Sequence, residues 1–258
     1  MSIYYAAWSH EGPSGASQQD ALLINHQVMQ GQILQTGVLN ATDGVAAVSD
    51  GLHGSPAPAL ASRTLLHALE QHYQRQSGAS LGLRCQTLAE ALIAKGRQTR
   101  RIGLSATLAA VEWQARQLRI YNVGDSRIYL RSEGHLRRLS KDHTLLQELL
   151  DRKVISSAQV EDAATFHQQP VEFFCGDPAD CRIPRHYTSS LAVTHDCKVM
   201  LCTDGVTGVV SDADIYFLLS SNDPSIALEC LVTTILKNDP RDNATIIILR
   251  WSADGSSD

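Results

Sequence analysis

Leu118-Arg119-Ile120-Tyr121-Asn122-Val123-Gly124-Asp125-Ser126-Arg127-Ile128-Tyr129-Leu130 holds two β-prone runs, Leu118 to Val123 and Arg127 to Leu130, separated only by Gly124-Asp125-Ser126. A parallel pair needs a crossover of about a dozen residues or more, so runs this close pair antiparallel. The neighbouring runs repeat the pattern. Ala106 to Trp113 reaches Leu118 through Gln114-Ala115-Arg116-Gln117, and Glu133-Gly134 leads on to Leu136 to Leu139. Helical periodicity precedes this block, from Ala57 to about Gln74, with Leu60, Thr64, Leu65, Ala68 and Leu69 on one side, and more weakly from Arg84 to about Arg101. Hairpin-linked strands beside helix pairs predict an α+β fold in which antiparallel sheets pack together with helices outside. A doubly wound parallel sheet fits worse.

Working outward, Ala21 to Val28 and Val45 to Ser49 read as strands, as do Lys198 to Thr203 and Thr245 to Leu249. Ser211-Asp212-Ala213-Asp214 has the form of a helix start, with a side-chain acceptor and an acid three residues on. A clearer start is Asp223 before Pro224, followed by Ile226, Ala227, Cys230, Leu231 and Ile235 at helical spacing. Thr144 to Pro184 is irregular, with short helical stretches at Leu145 to Leu150 and Ser157 to Ala164, which suits a flap inserted between strands. With no linker-like segment, residues 1–251 are expected to form one domain, and 252–258 a disordered tail.

Two of the strand-like runs stop at an Asp followed by a Gly: Val48-Ser49-Asp50-Gly51 and Leu201-Cys202-Thr203-Asp204-Gly205. Each delivers a carboxylate to the end of a buried strand. Asp242 precedes the run beginning at Ala244, and an antiparallel strand that begins with Asp lies beside the end of one that finishes with Asp. All three acids can thus share one edge, and Asp125 adds a fourth in a tight turn. Oxygen donors from distant segments suit a hard divalent cation such as Mg²⁺ or Mn²⁺. Two such ions about 3.5–4 Å apart can hold a bridging hydroxide against a phosphoryl group. The glycine is expected to let the chain turn and to offer its carbonyl as a further ligand. A lone Asp-Gly is an ordinary turn dipeptide; the recurrence after strands gives these two their weight.

The chain has 258 residues, 43% hydrophobic and 19% charged, with a net charge of −5, a globular composition that gives no support for nucleic acid or an anionic membrane as partner. Without an apolar stretch of about 18 residues or a charged-then-apolar leader at Met1 to His10, it is expected to be cytoplasmic. Cys85, Cys175, Cys181, Cys197, Cys202 and Cys230 form no Cys-x-x-Cys pair and are expected to be reduced thiols. Zinc held by Cys175, Cys181 and a His would match no common spacing.

Seven segments, in order, resemble the metal-dependent serine/threonine protein phosphatases of the type 2C family, in their bacterial form. They are Gln18-Gln19-Asp20-Ala21, Val48-Ser49-Asp50-Gly51-Leu52-His53-Gly54, Ser105-Ala106-Thr107-Leu108, Asn122-Val123-Gly124-Asp125-Ser126-Arg127-Ile128-Tyr129-Leu130, Leu139-Ser140-Lys141-Asp142-His143-Thr144, Leu201-Cys202-Thr203-Asp204-Gly205-Val206-Thr207 and Asp242-Asn243-Ala244-Thr245. The resemblance implies an α-β-β-α sandwich: two packed antiparallel sheets flanked by helix pairs, with metals in a cleft at one end and the flap beside it. It implies that Asp50 bridges two Mn²⁺ or Mg²⁺ ions, Gly51 contributes its carbonyl, Asp204 and Asp242 complete the other shell, and Asp20 acts through metal-bound water. Asp125 with Asp204 matches the place of a third, weaker metal; the alternative is a structural turn acid. Asn243 is expected to order the Asp242 turn, Arg127 to be structural and His143 to order its loop.

The sequence departs from the family in three places. Where members carry a phosphate-gripping Arg this chain has Gly15, a loss worth roughly 1.5–3 kcal/mol of substrate binding. Gln19 replaces a common Glu, and Leu52 stands where some members have a His proposed as general acid, a role His53 next to it can take. The implied activity is hydrolysis of phosphoserine or phosphothreonine on a protein by metal-activated water, opposite a serine/threonine kinase, by a monomer. The alternative is a weak or inactive phosphoprotein-binding pseudophosphatase; a nuclease or small-molecule phosphohydrolase is a third reading, disfavoured by the acidic balance.

Overall fold

The computed structural model describes residues 2–12, 17–75, 81–156, 169–180, 182–193, 196–238 and 240–252. Among these, the strands form two six-stranded sheets in which every pairing is antiparallel, as the short connections require. The first sheet runs β10 (His135–Arg138), β9 (Arg127–Ser132), β13 (Lys198–Cys202), β14 (Ala244–Ser252), β1 (Ser2–His10), β4 (Ile33–Asn40). The second runs β12 (Tyr187–Ala192), β8 (Gln117–Val123), β7 (Leu108–Gln114), β5 (Asp43–Ser49), β2 (Ala21–Ile24), β3 (Gln27–Met29). A short ladder joins β6 (Ser105–Ala106) to β11 (Phe174–Cys175).

The sheets face one another across a core that includes Ile3, Val48, Val111, Ile120, Leu201, Ile247 and Trp251. Outside the second sheet lie α1 (Pro58–Arg75) and α2 (Leu81–Thr99), with Leu65, Leu66, Leu69 and Leu88 packed on Leu23, Ala47 and Ala110. Each such fully buried Leu contributes about 1.5–3 kcal/mol. Outside the first sheet lie α5 (Asp212–Leu218) and α6 (Pro224–Lys237), whose Ile215, Ala227, Leu231 and Ile235 cover Met200, Ile246 and Ile248. α3 (Leu145–Asp151) opens the flap segment, and the single turn α4 (Asp204–Thr207) follows β13. The four-layer α-β-β-α arrangement predicted from the sequence is therefore present.

Several local expectations are corrected. Ala21 to Val28 is two strands, not one, because Asn25 sits at φ 54° and reverses the chain into the β2–β3 hairpin. β1 and β4 go unmarked in the sequence analysis. The buried stripe of α1 is centred on Ala61, Leu65, Leu69 and Tyr73, with Leu60 and Ala68 at its margin. On α6, Ile226 and Cys230 face solvent, and Leu228 takes the inward place. Ser252 belongs to β14, paired with Ser2, rather than to a tail. The helical stretch expected at Ser157 to Ala164, most of the expected tail, Gly15 and Cys181 lie outside the described residues. The helix starts at Ser211 and Asp223 are both capped by those side chains, on Asp214 N and Ser225 N. No helix among the described residues is long and apolar enough to cross a membrane. Cys85, Cys175, Cys197, Cys202 and Cys230 are free thiols.

Candidate metal centre

Strand register brings the acids to one end of the sandwich. Ala21 of β2 lies opposite Ser49 of β5, so Asp20, just before β2, and Asp50, just after β5, emerge side by side from the second sheet. In the first sheet Cys202 of β13 lies opposite Ile246 of β14, which sets Asp204 beside the Asp242-Asn243 turn. Arg127 of β9 also lies opposite Cys202, bringing the Asp125 turn alongside. A cleft of about 820 Å³ runs between the two sheet ends, walled by Asp50, Gly51, Asp204 and Asp242. His53 is exposed on its rim, and Gln169, Pro170 and Phe173 of the flap segment close one side. The described ends of that segment meet where Thr144 bridges to Pro170 and Val171 N donates to the His143 carbonyl at 2.8 Å.

The two Asp-Gly glycines are needed for a reason other than the expected turn: neither adopts a positive φ. A Cβ on Gly51 would lie 2.1 Å from the Pro58 carbonyl oxygen, and one on Gly205 2.0 Å from that of Asn243. Backbone pressed against backbone, not chain reversal, excludes a side chain at both.

Each carboxylate is held differently. Asp20 is buried, and its Oδ2 accepts hydrogen bonds from Thr203 Oγ1 and Thr245 Oγ1, both at 2.8 Å. Ser9 Oγ and Thr245 Oγ1 are 2.8 Å apart, Gln18 Nε2 donates to Ser9 Oγ at 2.7 Å, and Asp20 N donates to Gln18 Oε1 at 3.0 Å. An acid of the second sheet is thus clasped by hydroxyls of the first. At Asp50 it is the backbone that is fixed: its N donates to Thr107 Oγ1 at 3.1 Å, and its carbonyl accepts from Thr107 N at 2.8 Å. Thr107 is braced in turn by Ser126 Oγ at 2.8 Å. Asp204 opens α4, and Asp242 accepts at Oδ1 from Asn243 N at 2.7 Å.

The Asn243 side chain is taken up by backbone, accepting from Gln19 N at 2.7 Å and donating to the Glu11 carbonyl at 2.6 Å. The Asp125 turn is gripped by His143, whose Nδ1 accepts from Gly124 N at 3.1 Å and whose N donates to the Gly124 carbonyl at 2.9 Å. Burial keeps the His143 imidazole below its usual pKa, as suits an acceptor. Arg127 is fastened to Asp142 by both of its fork nitrogens and to the Tyr129 hydroxyl, which leaves it facing away from chemistry.

Burial, followed by the neighbouring acids, shifts these carboxyls upward. Asp20 rises to about 7, although the Thr203 and Thr245 hydroxyls pull it down; Asp204 rises to about 6 from burial and then Asp242. Asp50 and Asp125 are also pushed well up, by burial first and then by Asp20 and Asp204 respectively. Such a shared shift marks a site short of positive charge. The donor set fits a hard cation: every acid offers oxygen, and Asp125 Oδ1 is buried without a hydrogen-bond partner among the described residues. Among the described residues no three acidic, His or Cys side chains already converge on one point, so holding a cation would need carboxylate rotation, for which Asp242 is exposed.

Residues 9–234 match the family described as protein phosphatase 2C. The chain belongs to the protein phosphatase 2C family. It is 24% identical to the serine/threonine protein phosphatase PstP of Mycobacterium tuberculosis over 95% of its own length, and spans 44% of that relative's. The crystal structure of the M. tuberculosis phosphatase PstP/Ppp superimposes with a TM-score of 0.79 at 21% identity, covering 98% of this chain and 100% of that one. The PstP catalytic domain in complex with two manganese ions gives 0.75 at 22% identity, with 98% and 100% covered. These likenesses establish the fold.

In this protein phosphatase 2C chain the sequence reading missed the hydroxyl residues around the acids. Thr203 directly precedes Asp204, Thr245 follows Asp242 by three residues and Thr107 lies in Ser105-Ala106-Thr107-Leu108, all inside the quoted motifs but with no common spacing to an acid that would have marked them.

Proposed function

We propose that this chain is a metal-dependent protein phosphatase that hydrolyses phosphoserine and phosphothreonine on proteins. The observation that carries the reading is the delivery of Asp50, Asp204 and Asp242, from three separate segments, to one cleft, with Asp20 buried beside Asp50, where burial and then the neighbouring acids raise the pKa of Asp20, Asp50 and Asp204. Asp50 with the Gly51 carbonyl, Asp204 and Asp242 would hold two Mn²⁺ or Mg²⁺ ions, with Asp20 behind them and Asp125 beside Asp204 for a third. When bound, such ions lower the pKa of a water and neutralise phosphoryl charge.

The chain's own residues supply position. Thr107 fixes where Asp50 stands, the Thr203 and Thr245 hydroxyls fix Asp20, and His53, exposed on the rim, would give a proton to the departing serine or threonine oxygen. The flap residues Gln169, Pro170 and Phe173, at the cleft wall, favour a role in substrate choice. The phosphoprotein would be the product of a serine/threonine kinase, met in the cytoplasm by a monomer.

The neutral residues Gly15 and Gln19 favour a second reading, a phosphoprotein-binding protein without turnover. One assay separates them. With Mn²⁺ the protein should hydrolyse a phosphothreonine peptide, lose activity to a chelator, and lose about 10³-fold or more in kcat on Asp204→Asn, about 4 kcal/mol. Peptide binding without turnover would establish the second reading, and turnover indifferent to chelator would sink both.

A further inference from the structure

A phosphate dianion entering a cleft walled by carboxylates calls for a protein cation, and a guanidinium fork matches its oxygens. No Lys or Arg precedes Arg63 in the chain, so that cation comes from elsewhere. Several other arginines are already engaged: Arg127 and Arg138 with Asp142, Arg182 with Asp180, Arg185 with Glu172.

Arg241 differs in each respect. It is exposed, and makes no ion pair or hydrogen bond with any described residue. Among the described residues it is the one Lys or Arg lining the carboxylate cleft. It also lines an adjoining hollow of about 410 Å³ that continues past Asp204 and Asp242 to Gly205, Gly208 and Val209. The loop that carries it is anchored on both sides. Asn238 Nδ2 donates to the Val209 carbonyl at 2.8 Å, and Asn243 is bound through its side chain to Gln19 and Glu11. An exposed guanidinium between two anchored positions, at the seam of two hollows, is suited to closing on an anion.

We propose that Arg241 binds the substrate phosphate, supplying the cation that the segment before Asp20 lacks. The proposal rests on the phosphatase reading above. Its test compares the Mn²⁺-loaded wild type with Arg241→Ala and Arg241→Lys on para-nitrophenyl phosphate and on a phosphothreonine peptide, with Mn²⁺ affinity measured by calorimetry.

Arg241→Ala should raise KM for both substrates at least tenfold with a far smaller change in kcat. Arg241→Lys should recover part of that loss, and Mn²⁺ affinity should be unchanged. An unaltered KM overturns the proposal. So does a KM rise for the peptide alone, which would assign Arg241 to an acidic flanking residue, or a loss of Mn²⁺ affinity, which would mean action through Asp242. If the wild type turns over neither substrate, the phosphatase reading fails by itself. Arg241 is then judged by inorganic phosphate titrated into the Mn²⁺-loaded protein: at least tenfold weaker binding in Arg241→Ala supports the proposal, and equal binding overturns it.

Discussion

The Asp50-Gly51 end of the second sheet and the Asp204-Gly205 end of the first carry the same dipeptide, yet they are built by different means. At Gly51 the chain continues strand-like, bridged to Ala106, while Thr107 binds the Asp50 backbone on both its N–H and its carbonyl. At Gly205 the chain has already begun a helical turn, and Asp204 is placed by that turn and by the neighbouring Asn243 backbone. One acid is positioned by sheet pairing, the other by a tertiary contact. The difference shows that a short motif records which chemistry is needed at a place and leaves open how the place is built.

Substituting the glycines should break that comparison most forcefully. Gly51→Ala and Gly205→Ala each drive a Cβ into a carbonyl oxygen and should cost about 3 kcal/mol or more in denaturant unfolding. Gly54→Ala, with nothing within 4 Å of the added atom, should change stability by less than about 0.5 kcal/mol. Equal effects at all three positions would remove the close-approach explanation.

Smaller losses should separate the two ways of holding an acid. Thr107→Val leaves Asp50 N without its side-chain acceptor, and Thr203→Val removes one of the two hydroxyls on Asp20; each should cost about 1–3 kcal/mol. Only Thr203→Val should also alter the pH response, because its hydroxyl pulls the Asp20 pKa down.

That pH response is the subtlest expected effect. Asp20 and Asp204 are raised to about 7 and about 6, above the roughly 3.9 of an unfolded Asp, so the folded metal-free protein binds more protons than the unfolded chain. Their stabilising contribution is complete below about pH 4 and is lost as pH rises through about 6 to 7. The Tm of metal-free protein should therefore fall across pH 5 to 7.5, less steeply in Asp20→Asn, and Mn²⁺ at pH 7.5 should restore it. A Tm profile identical in wild type and Asp20→Asn would contradict the assignment.

The layered fold was legible because hairpin spacing excludes parallel pairing, and because the Leu-rich face of α1 survives a small rotation of its centre. β1 and β4 were not legible, for physical reasons. β1 is covered on both faces and reads as Ala, Ser and Tyr without alternation; in β4 the exposed Leu34 and Val38 mask the inward set of Ile33, Gly37 and Leu39. The acids of the site stood out because each ends or begins a strand. Their supports did not, since Thr203 and Thr245 meet Asp20 across 183 and 225 residues of chain. No local pattern carries a partnership formed only when the sheets close.

The clasp on Asp20 has a mechanical consequence. Because one carboxylate oxygen is shared by hydroxyls from β14 and from the end of β13, while Asp20 itself leads into β2, the two sheets are latched at the cleft end. That latch opposes relative sliding of the two sheets at the end where the acids stand.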